Sequence, residues 1–289
     1  MTAESVSPLC LFVDGIAIID SAVADAERGL FGATWLVDLT LMGPAGEPGM
    51  VLDFGRLKPQ VKAIVDEVFD HVLIVPEGMP GLVIEQEGAC LTLRWKDAAG
   101  EGYRHQSPAN AVLRVPGERV THEGIAALIR ARLETHLGGS GAELEIRVRD
   151  EPVAGATYSY CHGLEHHAGR CQRIAHGHRS RLEVWVDGRR DGVLEVDWAA
   201  RWRDIYVGSR AHLVAAPDKR CRFAYDAGEG HFELDLPAAR CALIDTESTV
   251  EQIAAHIATR LAAKRPGQQV LVRAFEGVGK GGIGTATAH

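Results

Sequence analysis

The sequence predicts an α+β protein made of two copies of one unit, and three observations carry that expectation. Segments of alternating or β-branched apolar residues, at 11–19, 33–41, 91–95 and 143–149, read as strands. Stretches with apolar residues at helical spacing lie among them. The order then recurs. Phe223-Ala-Tyr-Asp-Ala-Gly-Glu-Gly-His-Phe echoes Leu93-Arg-Trp-Lys-Asp-Ala-Ala-Gly-Glu-Gly-Tyr, Ser248-Thr-Val-Glu-Gln-Ile-Ala echoes Val120-Thr-His-Glu-Gly-Ile-Ala, and 270–274 echoes 144–148. Self-similarity of this kind marks a duplicated unit, with a junction expected near Gly155 and copies spanning 1–155 and 156–289.

In chain order, the first two strands are joined by a polar segment from Asp20 to Gly32, and Gly43-Pro-Ala-Gly-Glu-Pro-Gly49 is a turn. A helix follows with Leu57, Val61, Ile64, Val65 and Val68 on one face. Asp53 is placed to cap it, Pro59 lies early in it, and it ends at Asp70-His71. Residues 97–102 are a turn. A second helix begins at Thr121, carries Ile125, Leu128, Ile129 and Leu133, and stops at Gly138-Gly139. Glu143-Leu-Glu-Ile-Arg-Val-Arg149 alternates without a break, a strand with one wet face. The second copy shortens its first helix to about Asp197–Tyr206, places Ser248 and Glu251 as a capping box, and ends in a glycine-rich tail read as a flexible end that closes over ligand. Hairpins imply antiparallel sheets with helices on one face. Two such copies form a pseudo-dimer whose open sheet edges favour a homo-oligomer.

At 289 residues and 46% hydrophobic content the chain can bury a large core. No apolar run approaches membrane-spanning length, and Met1-Thr-Ala-Glu-Ser-Val-Ser-Pro8 lacks a basic region followed by an apolar one, so a cytoplasmic protein without a membrane partner is expected. The six cysteines are scattered with no C-x-x-C, which fits reduced thiols. A net charge of -8 argues against a nucleic-acid partner.

Chemistry concentrates between Tyr158 and Arg181, which holds five of the thirteen histidines together with Cys161 and Cys171. His176 and His178 are two apart, so on a strand both imidazoles point to the same face. His162, on a preceding strand brought alongside, can complete a triad. Three neutral imidazoles and one open position describe a catalytic Zn2+ site rather than a structural one. The plain alternative is a set of solvated loop histidines.

Further motifs accompany it. The first copy has Gly49-Met-Val-Leu-Asp-Phe-Gly-Arg-Leu-Lys58, then Asp70-His71 and Thr121-His-Glu123; the second has Tyr160-Cys-His162, Cys171, His176-Gly-His178, Thr249-Val-Glu251 and Phe275-Glu276. Together these resemble the 6-pyruvoyl-tetrahydropterin synthase / 6-carboxytetrahydropterin synthase family, whose unit is the tunnelling fold, and the resemblance covers most of the chain. It implies zinc on His162, His176 and His178. It places Asp20 and Phe31-Gly-Ala33 at the corresponding positions of the first copy, which should bind no zinc, and Ala211-His212 where the second copy should carry Asp-His. The implied substrate is 7,8-dihydroneopterin triphosphate, rearranged with loss of triphosphate.

In that resemblance Cys171 removes a proton as a thiolate, its pKa lowered by the metal and by Arg170 and Arg173, and Asp70 with His71 forms the second acid/base unit. Glu276 grips the pterin through its amino group and ring N–H. Thr249 and Glu251 either touch the ligand or cap a helix. Arg170, Arg173, Arg179, Arg181 and Lys280 are candidates for the triphosphate. His212 is the second choice for the acid/base role, while His105, His122 and His231 are expected at the surface. The active site is thus divided between the copies, within one chain or between chains. A non-catalytic, zinc-stabilised pterin- or purine-binding module is the alternative.

Overall fold

The computed structural model describes residues 9–44, 49–136 and 142–288. The first copy runs β1 (Leu9–Asp25), β2 (Gly29–Gly43), α1 (Phe54–Val68), β3 (Leu73–Pro76), β4 (Val83–Glu87), β5 (Cys90–Lys96), β6 (Gly102–Pro108), β7 (Val112–Val115), α2 (His122–His136) and β8 (Glu143–Asp150). The second runs β9 (Thr157–His162), β10 (His176–Val186), β11 (Arg189–Arg190), α3 (Gly192–Arg201), β12 (Ile205–Ser209), β13 (Leu213–Ala215), β14 (Arg220–Ala227), β15 (Gly230–Pro237), β16 (Cys241–Ile244), α4 (Val250–Ala262), β17 (Gln269–Phe275) and β18 (Gly281–Thr287).

Several expectations change. Asp20–Gly32 is not a polar connector: β1 and β2 run through it, leaving a turn of three residues, because Ala22, Val23, Ala24 and Leu30 are buried apolar groups. Asp53 does cap α1, accepting from the Gly55 N–H at 2.8 Å, but Pro59 lies beyond the first turn and removes an interior donor. The α3 helix begins at Gly192, because Asp191 accepts from the N–H groups of Val193 and Leu194 and so sets the start. Most of the expected turn after Gly43 and the Gly138-Gly139 stop lie outside the described residues.

The chain divides into two compact units. One comprises 1–19, 35–70 and 120–151, the other 20–34, 71–119 and 152–289. In the first, β2 pairs antiparallel with β8 from Trp35↔Asp150 to Met42↔Glu143. Leu57, Val61 and Val65 of α1 and Ile125, Ile129 and Leu133 of α2 are buried, as the helical spacing requires.

In the second unit β9 and β10 form an antiparallel pair extended by β17 and β18, while β12 and then β16 add in parallel. The same mixed pattern appears where β1 pairs in parallel with β3, and β3 with β7. The sheets are therefore antiparallel-rich but not purely antiparallel. Helices α3 and α4 cover β9, β10 and β17 with a core of Trp198, Trp202, Ile253, Ile257, Leu261, Tyr158 and Val272. Hairpins from both copies join in a six-stranded sheet, β13-β14-β15-β6-β5-β4, in which β15 pairs antiparallel with β6. His105 lies on β6 opposite Leu234 and Leu93 and is only 1% exposed, so it is a core residue, not a surface one.

The strand registers align the copies residue by residue. A single 3-10 turn precedes β7 and another precedes β16; Leu73 pairs with Val112 and Tyr206 with Cys241, the first residues of those strands. Leu73 therefore corresponds to Tyr206. Since Ala22 pairs with Leu73 and Cys161 with Tyr206, the residue of the first copy that corresponds to His162 is Val23, not Asp20. Likewise His71 corresponds to Asp204, and the two share a left-handed backbone at φ 54° and 57°. The Asp-His position of the second copy is thus Arg203-Asp204; Ala211-His212 falls in a later 3-10 turn after β12.

Candidate metal and active centre

Pairing of β9 with β10 sets His176 directly opposite His162, and His178 opposite Tyr160. The period of two then brings three imidazoles to one face. Their ring centroids are 4.3 Å (His162–His176), 5.3 Å (His162–His178) and 5.6 Å (His176–His178) apart, and all three side chains are fully buried. One ring nitrogen from each lies within 4.8 Å of the others.

Their outer nitrogens fix the tautomers. His162 Nδ1 is 2.8 Å from the Ser248 carbonyl and His176 Nδ1 is 3.0 Å from the Arg173 carbonyl. A carbonyl only accepts, so each Nδ1 carries the proton and each Nε2 presents a lone pair inward. His178 Nδ1 faces the Asp20 carboxylate at 3.2 Å. The Nε2 atoms of all three are buried without a hydrogen-bond partner. Burial, followed by the neighbouring imidazoles, pushes the pKa of His162 and of His176 well below the usual value, so both are neutral. Converging, unsatisfied nitrogens, those of His162 and His176 on neutral rings, oriented by carbonyls and a carboxylate are what a bound Zn2+ requires, and these residues fit one.

His71 borders this triad. Its left-handed backbone is held from both sides, the N–H donating to the Asp20 carbonyl at 2.8 Å and its carbonyl accepting from Arg173 at 3.2 Å. A non-glycine residue at such φ is uncommon and signals a position fixed by its surroundings. The ring centroid lies 5.0 Å from that of His176. Cys171 is half-buried and offers its sulfur within 4.8 Å of ring nitrogens of His71 and His176. Of the expected sites, Cys171, His71 and the three histidines are therefore brought together. Asp70 is half-buried and belongs to the other unit, where its N–H donates to the Val65 carbonyl at 3.1 Å.

Arg173 is not a free phosphate ligand: it is buried and bonded to Glu229 at 2.7 Å, so its role is to support His71. Arg181 stacks 4.0 Å over the Phe275 ring. Glu276 Oε1 is 3.8–3.9 Å from the Nε2 atoms of His178 and His162, and Lys280 Nζ lies 3.8 Å from Glu276 and 3.6 Å from Asp20. Burial alone would raise the Asp20 carboxyl, but His178, Lys280 and Thr34 outweigh it and hold its pKa down to about 2. Asp20 is thus an orienting carboxylate for His178, a role hidden in the sequence because it is supplied by the other copy.

Thr249 is the N-cap of α4, accepting from the Gln252 N–H, and Glu251 is exposed in the first turn. The expected Ser248–Glu251 box does not form, since the Ser248 hydroxyl is turned to His162 Nδ1 and the Gly163 carbonyl. The glycine-rich tail is also corrected. It is strand β18, paired with β17 from Phe275↔Gly281 to Gln269↔Thr287. Added Cβ atoms at Gly282 and Gly284 would meet the α4 backbone at 2.7 Å and 2.4 Å, so these glycines serve strand–helix contact rather than mobility.

A sequence model of the family described as 6-pyruvoyl tetrahydropterin synthase matches residues 21–160 and again 155–278. A Pyrococcus abyssi protein provisionally named as a 6-carboxy-5,6,7,8-tetrahydropterin synthase is 28% identical over 130 residues, which cover 43% of this chain and 71% of that protein. Among solved structures, the Plasmodium vivax 6-pyruvoyl tetrahydropterin synthase is similar at a TM-score of 0.43 and 22% identity, over 52% of this chain and 95% of that one. The Plasmodium falciparum enzyme is similar at 0.42 and 23%, over 51% and 94%.

Proposed function

With two matches of one family model spanning most of its length, the chain belongs to the 6-pyruvoyl tetrahydropterin synthase family as a tandem of two copies, and we propose that it is a zinc-dependent synthase acting on 7,8-dihydroneopterin triphosphate. The product is a 6-pyruvoyl or 6-carboxy tetrahydropterin, and triphosphate is lost when the side chain rearranges. The observation that carries the reading is the set of three buried, unpartnered Nε2 atoms on His162, His176 and His178.

Zinc held there supplies Lewis-acid chemistry toward the hydroxyl oxygens of the side chain. Cys171 takes the proton from carbon, and His71, which lies beside both Cys171 and His176, moves the second proton. Glu276, at the mouth of the triad, accepts from the amino group and ring N–H of the pterin, with Lys280 as the adjacent cation. Thr249 and Glu251 border this site through the start of α4. The copies function as a homo-oligomer in the cytoplasm, with no nucleic-acid partner; no described helix is long and apolar enough to cross a membrane.

Purified, zinc-loaded protein incubated with 7,8-dihydroneopterin triphosphate should give a product whose mass separates the pyruvoyl from the carboxy outcome. Cys171→Ala and His71→Ala should each lower kcat by about 10²–10⁴-fold with zinc retained. No turnover by the loaded protein leaves the zinc-stabilised binding module as the reading.

A further inference from the structure

A second cluster of ligating side chains lies outside this centre. His212 Nε2 is 2.9 Å from Glu165 Oε2 and 3.5 Å from Glu247 Oε1, and His166 Nδ1 is 2.9 Å from the same Glu247 oxygen and 3.8 Å from Glu165 Oε2. One ligand atom each from Glu165, His212 and Glu247 falls within 4.8 Å of the others. The His212 side chain is 7% exposed, and the remaining oxygen of Glu247, Oε2, is enclosed without any hydrogen-bond partner. Two carboxylates this close repel unless a cation lies between them. Among the described residues no lysine or arginine pairs with either; their ion-pair partners are the two histidines. The two ring nitrogens meet one oxygen of each carboxylate at 2.9 Å and leave Glu247 Oε2 unmet.

The first copy shows what this place holds when no metal is involved. Glu247 stands two residues before the helix cap Thr249, and its counterpart, two residues before the matching Thr121, is Arg119. Arg119 makes two 2.9 Å bonds to Glu27 in the turn between the first two strands, just as Glu247 reaches the loop between β9 and β10. In the first copy an arginine meets a glutamate; in the second a glutamate meets a glutamate, with imidazoles added.

We infer that Glu165, His166, His212 and Glu247 form a second metal site, for a divalent transition cation with mixed imidazole and carboxylate ligands. Such a donor set suits Zn2+ and its neighbours rather than Ca2+, which takes oxygen alone. The ion ties the 163–172 loop, which carries Cys171, to the segment that starts α4. The site uses none of the triad histidines as a ligand and does not depend on the synthase reading.

The test is zinc content of the full-length chain after chelator treatment and dialysis against Zn2+. Two zinc ions per chain are expected in the unsubstituted protein. His176→Ala should keep one, and Glu247→Gln should also keep one, each having lost a different ion. Glu165→Gln, at a side chain 30% exposed, should weaken the same second ion at least tenfold by competition with a chelator of known affinity. Zinc-free His176→Ala, or Glu247→Gln and Glu165→Gln that both bind as the unsubstituted protein does, would overturn the inference. Absence of synthase activity would leave it untouched.

Discussion

Among single residues, the histidines show how the same side chain is put to different ends by its neighbours. His162, His176 and His178 lie together with lone pairs converging, whereas His105 is equally buried but alone, with Nδ1 unpartnered. Burial, aided by Arg104, lowers the His105 pKa to about 3 from the ordinary 6.5. The unfolded chain therefore binds this proton more strongly than the folded one. The stability it permits is complete above pH 6.5 and is lost as pH falls from 6.5 toward 3, at up to about 1.4 kcal/mol per pH unit. His105→Leu, which continues the apolar face shared with Leu93 and Leu234, should flatten the slope of unfolding free energy against pH between 6.5 and 4.5, measured by urea titration at each pH. An unchanged slope would show that His105 is charged or hydrated in the fold. For the triad, His176→Ala should remove one tightly bound zinc and lower the midpoint of thermal unfolding at saturating metal, because a ligand that binds only the folded chain stabilises it.

At the level of elements, the strands were legible wherever one face is buried and the other wet, as in Glu143–Asp150. Motif spacing also placed His176 and His178 on one face, since a period of two is a property of any strand. Strand ends were less legible. β1 and β2 continue through Asp20 and Gly32 because tertiary partners cover Asp20 and Ser21, polar groups that by themselves suggest a loop. Nor does local sequence reveal that Gly282 and Gly284 are small to admit α4, since glycine-rich composition reads equally as a mobile tail. Gly284→Ala would place a Cβ 2.4 Å from the Ala254 backbone, and neither backbone has room to withdraw. A loss of about 1–3 kcal/mol is expected by chemical denaturation, as for other overpacked sites. Gly267→Ala, whose Cβ would meet nothing within 4 Å but whose φ is 80°, separates steric overlap from backbone strain: it should cost only about 1 kcal/mol.

Across the whole molecule, duplication has allowed the two copies to specialise. Equivalent positions carry His162 and Val23, or His71 and Asp204, so the histidines of the centre are not repeated at those positions of the other copy. Sequence comparison of the halves made this division visible but misplaced two of its members, because strand register, not residue identity, defines equivalence. At the counterpart position the chain has installed an ion pair. Arg28 clamps the Asp204 carboxylate through two hydrogen bonds while lying 3.4 Å over the Phe31 ring, and the Asp204 side chain is only 4% exposed. Removing one partner of such a pair strands a charge away from water, and the cost exceeds what the pair itself contributes. Arg28→Met should therefore destabilise the protein by about 3–5 kcal/mol, whereas Arg28→Met combined with Asp204→Asn should recover much of that loss. A double-mutant cycle from urea denaturation reads the difference. Zinc at the triad, which neither residue contacts, should remain bound in every variant that folds.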